Sequence, residues 1–402
     1  MKIEKELLFN KLEEINNLID INYKEDPHIG PLIGLSGSSL FKFYYSKFLN
    51  NKKENDKGEE IIIEALDRIN KGYNNPNFSS GIAGLCWTLD HLYSNKFIDL
   101  DLDILLKDID QYLINMLEKK ISAKNFDFLH GAIGIVLYLI NRFKNTKSEE
   151  LKSKLFNSIE YFLINLQKTS INIENTNKWY SIIDISSNIT GVGFGLAHGM
   201  ASILGILLKI YSLKEFQESS ITILNGTINY LMEHKRFDSK SFFPSYIDTN
   251  GNPLKPSRVA WCYGDLGIAL KLYQSSKILN NKYIEDEAIK ILTHTSKRTD
   301  PKDTRVVDAG ICHGSFGNSI LFGKIYHYTK IDEFKNARDF WLIDGISKGN
   351  MKDGYAGYKK KVGSNNWEKE LNVLQGIAGI GLSILDYLNT EKNNWDESLM
   401  IS

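Results

Sequence analysis

The chain has 402 residues, 42% of them apolar, and carries 49 basic against 49 acidic side chains, so it is neutral overall and long enough to bury a sizeable core. No long block of like charge occurs, Lys359-Lys360-Lys361 being the nearest, which argues against nucleic-acid affinity or a polybasic membrane anchor. No apolar run reaches the roughly 18 residues of a membrane-spanning helix, and three cysteines cannot frame a disulfide scaffold, so a reduced, cytoplasmic setting is expected.

The first residues, MKIEKELLFNKLEEINNLID, read as a charged amphipathic helix without the apolar core of a signal peptide. At Gly34 a polar stretch gives way to Gly-x-x-Gly and then to an apolar run of helical length. The same event recurs at Gly81, Gly131, Gly199, Gly264, Gly314 and Gly376, with Ser202 replacing the second glycine in the fourth copy. Amphipathic patterns lie between these motifs, at roughly 3–20, 59–72, 105–116, 149–168, 214–234, 281–297 and 331–346. In the third, Leu105, Ile109, Tyr112 and Met116 are expected to face the core, with Lys107, Asp108 and Asp110 on other faces. Runs such as GIVLYLI and GIGLSILDYL are apolar almost all round, which marks helices buried on both sides.

A one-faced helix thus alternates with a doubly buried one seven times. The repeat predicts one all-α domain over 1–402, a ring of seven hairpins with amphipathic helices outside and glycine-led helices inside. The first glycine is expected to supply a positive φ, and the second to make room near the axis. Three connections exceed what a hairpin needs. Within 237–261, Asn250-Gly251 between apolar runs predicts a short β-ribbon with a type I′ turn. The stretches 169–194, with Trp179-Tyr180, and 347–371, with Tyr355, Tyr358 and Trp367, are long enough to be functional.

The residues ahead of the glycines carry the chemistry. Cys262 and Cys312 both stand two residues before a motif glycine, on adjacent copies, and His313 follows Cys312. Taken singly, each cysteine reads as a small core residue. Their shared register, which in a ring is one rim, predicts two thiolates and an imidazole around a zinc ion with its fourth position open. Such a metal would keep a third thiolate nucleophilic, which points to thiol attack on an electrophilic carbon. His198 holds the equivalent rim position of the fourth copy, and Asp127 lies four residues before Gly131; together they make an acid–base pair beside the metal. Alone, Asp127 would read as a helix cap. Arg258 and Tyr263 flank Cys262 and are candidates for stabilising charge on a carbonyl oxygen. His130 and Cys86 read as structural.

These stretches resemble the lanthionine synthetase C-like family, the cyclases of lanthipeptide biosynthesis. The likeness is most specific at SRVAWCYGDLG (257–267) and ICHGSFG (311–317), with support from GLAHGMAS, DFLHGAIG and LQGIAGIG. It implies an α/α toroid of seven inner and seven outer helices. It implies zinc on Cys262, Cys312 and His313, acid–base roles for Asp127 and His198, and active-site roles for Arg258 and Tyr263. The implied reaction adds a precursor-peptide cysteine to a dehydroalanine or dehydrobutyrine of the same peptide, closing a thioether ring. The first repeat starts by Gly34, so a stand-alone cyclase is expected, working with a separate dehydratase and an exporter in a complex at the membrane.

Four other readings compete. A relative that adds glutathione or another thiol to dehydrated residues would use a similar zinc set. A prenyltransferase β-subunit would carry an Asp in place of one cysteine. A glycoside hydrolase needs two carboxylates on the axis, for which the rim offers Asp127 and Asp265. A non-catalytic scaffold would bind no metal.

Overall fold

Helices begin one residue after every motif glycine. The computed structural model describes residues 4–184, 189–236, 240–363, 365–389 and 393–402. In chain order its helices are α1 (Lys5–Asn22), α2 (Leu35–Leu49), α3 (Lys52–Asn70), α4 (Ile82–Ser94), α5 (Leu102–Leu105), α6 (Lys107–Ser122), α7 (Ala132–Asn145) and α8 (Glu149–Thr169). There follow α9 (Met200–Tyr211), α10 (Gln217–Glu233), α11 (Asp265–Ile278), α12 (Lys282–Ser296), α13 (Pro301–Thr304), α14 (Ser315–Thr329), α15 (Asp332–Ser347) and α16 (Ile377–Leu388). The glycine-led helices α2, α4, α7, α9, α11, α14 and α16 are buried along most of their length. The amphipathic ones bury a single stripe; in α8 this is Leu155, Ile159, Phe162, Leu163 and Leu166.

Two compact units divide the chain, Met1–Ile98 with Arg305–Ser402, and Asp99–Thr304. In the first, α2 packs on α3 and α14 on α15, and the glycine-led helices touch in the order α14, α16, α2, α4. The last of them, α16, takes α1 as its amphipathic partner, so the N-terminal helix completes the final hairpin. In the second unit α7 packs on α8, α9 on α10 and α11 on α12, with α7, α9 and α11 adjacent in that order.

Two expectations about the helices fail for physical reasons. α3 begins at Lys52, not near 59, because Asn51 caps it and accepts the Lys53 N–H. In α6 the buried stripe is Asp110, Leu113, Ile114, Leu117 and Ile121, while Leu105 is exposed. Asp110 was the misleading residue. It is buried because the Tyr138 hydroxyl donates to Oδ1 and the buried Arg142 reaches Oδ2 at 3.1 Å, and a paired carboxylate can stand in a core.

The Gly-x-x-Gly pattern has a tighter cause than the one expected. Only Gly34 and Gly264 among the first glycines have positive φ, at 138° and 128°. The common requirement is space. A Cβ on Gly264 would lie 2.0 Å from the Arg258 carbonyl oxygen, and one on Gly376 would lie 2.4 Å from that of Glu370, six residues back in each case. The second glycine meets the carbonyl six residues behind itself: 1.9 Å for Gly84 on Phe78, Gly317 on Ile311 and Gly379 on Val373. Each loop therefore folds flat onto the start of the helix that follows it.

The β structure is larger than the predicted ribbon. β1 (Ile171–Ile173) and β2 (Thr176–Lys178) form a hairpin. β3 (Ser181–Asp184), β4 (Ile189–Gly193), β5 (Pro244–Asp248) and β6 (Pro253–Pro256) form a four-stranded antiparallel sheet in that order. The ribbon expected at 237–261 is the β5–β6 pair, with Tyr246 opposite Leu254; residues 237–239 lie outside the described ones. Its turn is not type I′. Gly251 has φ +87° while Asn250 has no positive φ. The Asp248 carboxylate accepts the Asn250 and Asn252 N–H groups, which holds the turn instead. β7 (Lys360–Val362) and β8 (Asn366–Glu368) pair within the third long connection.

Candidate functional site

In six of the seven copies the residue two before the motif glycine shares a backbone hydrogen bond with the same position of a neighbouring copy. Within the first unit the Cys312 N–H donates to the Leu374 carbonyl at 2.8 Å, the Leu374 N–H to Leu32 at 2.9 Å, and the Leu32 N–H to Ser79 at 3.1 Å. Within the second, the Ala197 N–H donates to the Cys262 carbonyl at 3.3 Å. Each donor and acceptor stands at the same place in its copy. Cys262 and Cys312 thus sit on backbone held by neighbouring loops. A Cβ on Gly195 would come within 2.2 Å of the Cys262 carbonyl oxygen, so only glycine lets the fourth loop lie there.

In the second unit the structure brings Asp127 and His198 together. Asp127 Oδ2 and His198 Nδ1 are 2.5 Å apart, and Asp127 Oδ1 accepts the His130 N–H at 2.7 Å. Asp127 is both a loop cap and the hydrogen-bond partner of the His198 imidazole. Burial lowers the His198 pKa, but the hydrogen bond and charge of Asp127, with a contribution from Cys262, outweigh it and the net shift is upward. The imidazolium is therefore favoured to a higher pH than for an ordinary histidine.

Tyr263 follows Cys262 and its ring centroid lies 6.0 Å from that of His198. Burial, then the Tyr246 hydroxyl, raise its pKa, so it is a neutral hydrogen-bond donor. Arg258 lies two residues beyond β6 and is half-buried; its side chain has no hydrogen-bond or ion-pair partner among the described residues. A guanidinium in that condition is available to a ligand. In the first unit Cys312 is half-buried and His313 Nε2 faces the Asp308 carboxylate at 3.4 Å.

Sequence reasoning passed over three neighbours. His130 was set aside as structural, yet its ring stacks 6.0 Å from His198. Tyr246 on β5 packs edge-on against Tyr263 at 5.2 Å, a contact created by the sheet. Asp308 stands six residues before Gly314, the position Arg258 holds before Gly264. That shared register was a legible signal. Two residues behave as structural elements. Cys86 is fully buried in α4. Asp265 is fully buried with its oxygens accepting the Phe242 and Phe243 N–H groups, so it is not a carboxylate free for hydrolytic chemistry.

The arrangement is an all-α fold of glycine-led and amphipathic helices with a β insertion, an α/α toroid. The solved structure of nisin cyclase matches it with a TM-score of 0.75, covering 99% of this chain and 98% of that one at 21% identity. The family model described as lanthionine synthetase C-like protein matches residues 33–400, and the chain belongs to that family. It is 27% identical over 307 residues to the nisin biosynthesis protein NisC of Lactococcus lactis subsp. lactis, which spans 70% of each chain. No described helix is long and apolar enough to cross a membrane.

Proposed function

We propose that this protein is a zinc-dependent lanthipeptide cyclase that joins precursor-peptide cysteines to dehydroalanine or dehydrobutyrine in lanthionine and methyllanthionine rings. Family membership and the donor set support the reading. Cys262 and Cys312 stand two residues before the glycines that open α11 and α14, His313 follows Cys312, and two sulfurs with one imidazole suit zinc with a fourth position open. Bound there, zinc would hold a substrate thiol as thiolate at neutral pH.

The chain's own residues manage charge and the proton. As the sulfur bonds to the β-carbon, the alkene electron pair moves into an enolate, and negative charge grows on the substrate carbonyl oxygen. Arg258, unpaired among the described residues, is the cation for that oxygen, and Tyr263 donates beside it. His198 delivers a proton to the α-carbon. Asp127 holds Nδ1, which leaves Nε2 for the transfer. The substrate class is a dehydrated precursor peptide, the partners are a separate dehydratase and an exporter, and the setting is cytoplasmic, peripheral to the membrane through that complex.

Purified protein should contain one zinc per chain, lost in Cys312→Ala, and should consume free thiols of a leader-bearing dehydrated peptide. Unchanged metal content across Cys262→Ala, Cys312→Ala and His313→Ala would refute the ligand set. Faster consumption of glutathione than of the peptide's own thiols would assign the chain to intermolecular thiol addition instead.

A further inference from the structure

The proposed ligand His313 has a neighbour that the reaction scheme does not use. Asp308 is 4% exposed and lies five residues before it, in the loop that starts α14. Its backbone carbonyl accepts the Ser315 N–H at 3.2 Å, so the residue belongs to the helix start. Its carboxylate is held from two sides. Oδ1 accepts the Gly310 N–H at 3.2 Å, and Oδ2 accepts the Lys361 N–H of β7, also at 3.2 Å. Gly314 leaves room for it, since a Cβ there would fall 2.5 Å from Oδ1. His313 Nε2 stands 3.4 Å from the same Oδ2 that β7 fixes.

A buried carboxylate beside one imidazole nitrogen selects a tautomer. It takes the N–H, orients the ring and raises the basicity of the opposite nitrogen. We infer that Asp308 is the positioning residue of His313: it holds the proton on Nε2, presents Nδ1 to the metal, and is itself anchored by the backbone of the β7–β8 hairpin. The inference rests on the proposed zinc set, and deepens it by linking that set to the third long connection. Among the described residues, two carboxylate–imidazole pairs then do opposite work. Asp127 takes Nδ1 of His198 and leaves Nε2 for proton transfer; Asp308 takes Nε2 of His313 and leaves Nδ1 for ligation.

Nitrogen-15 NMR of histidine-labelled full-length protein reads the tautomer directly, with His313 assigned from the His313→Asn spectrum. The expected result is a protonated Nε2 and an unprotonated Nδ1, both before and after zinc is added. Competition with a chromophoric chelator should show zinc affinity falling roughly 10–100-fold in Asp308→Asn. The helical circular dichroism of that variant should match wild type, because Asn keeps the size and one acceptor. A proton on Nδ1, or wild-type zinc affinity in Asp308→Asn, would overturn the inference. Should Asp308→Asn fail to fold, the wild-type tautomer still decides. Wild-type protein that binds no zinc would refute the cyclase reading, while the metal-free spectrum continues to judge Asp308.

Discussion

At the scale of single residues, the proposed mechanism separates ligation from proton transfer. His198 is tied to Asp127 at 2.5 Å and has no part in the proposed ligand set. His198→Asn should therefore keep its zinc and slow ring formation by roughly 10²–10⁴-fold. A time course counting free thiols, with zinc measured in the same sample, checks this. Cyclisation at the wild-type rate would remove His198 as donor; lost zinc would make it a ligand. The pH dependence follows from the raised His198 pKa. A general acid works while protonated, so the rate should fall as pH rises through that raised value. Asp127→Asn removes the partner that outweighs burial, so the fall should move to lower pH. A pH profile unchanged by Asp127→Asn would disprove the coupling.

At the scale of the element, the repeated loop and helix start act as one piece. The loop lies so close to its helix that the second glycine admits no side chain: Gly317 has 1.9 Å between an added Cβ and the Ile311 carbonyl. Gly317→Ala should destabilise the protein by roughly 1–3 kcal/mol, the usual range for overpacking, and should displace Cys312, which sits inside that loop. Gly251→Ala is the control. A Cβ there meets nothing within 4 Å, and only its φ of +87° is strained. Urea melts of both variants, with zinc content, test the argument; equal losses would mean that backbone conformation, not contact, sets the glycine.

At the scale of the whole molecule, the loops that carry the proposed ligands are fastened by backbone hydrogen bonds to neighbouring loops. The girdle running through Cys312, Leu374, Leu32 and Ser79 is made of backbone hydrogen bonds. Chelated protein should therefore keep its helical circular dichroism, unlike small domains that zinc folds; loss of most of that signal would make the metal structural. Closure of the last hairpin by α1 makes a second prediction. Ile15 is fully buried, and its Cγ2 lies 3.3 Å from where a Cβ on Gly381 of α16 would stand. Ile15→Ala should cost about 2–5 kcal/mol in thermal or urea unfolding. A loss under ~0.5 kcal/mol would show that α1 is not part of the core.

Local patterns in the amino-acid order were enough to specify the seven glycine-led helices, their starts and the −2 register of the two cysteines. Periodicity and tight turns are properties of neighbouring residues, and they survive without knowledge of the fold. Rim register and nearness to the motifs pointed to His198, Asp127, Arg258 and Tyr263, and the resemblance implied active-site roles for them. Tertiary structure decided what depends on residues far apart in the chain. The buried face of α6 turned on Arg142 and Tyr138 reaching Asp110 from α7. β4 joined β5 across more than fifty residues, with Gly193 opposite Tyr246, and so put Tyr246 beside Tyr263. The Asp308 carboxylate near His313 is held in part by the Lys361 N–H of β7. In each case a polar group far away in sequence satisfied another, and no local pattern records such a pairing.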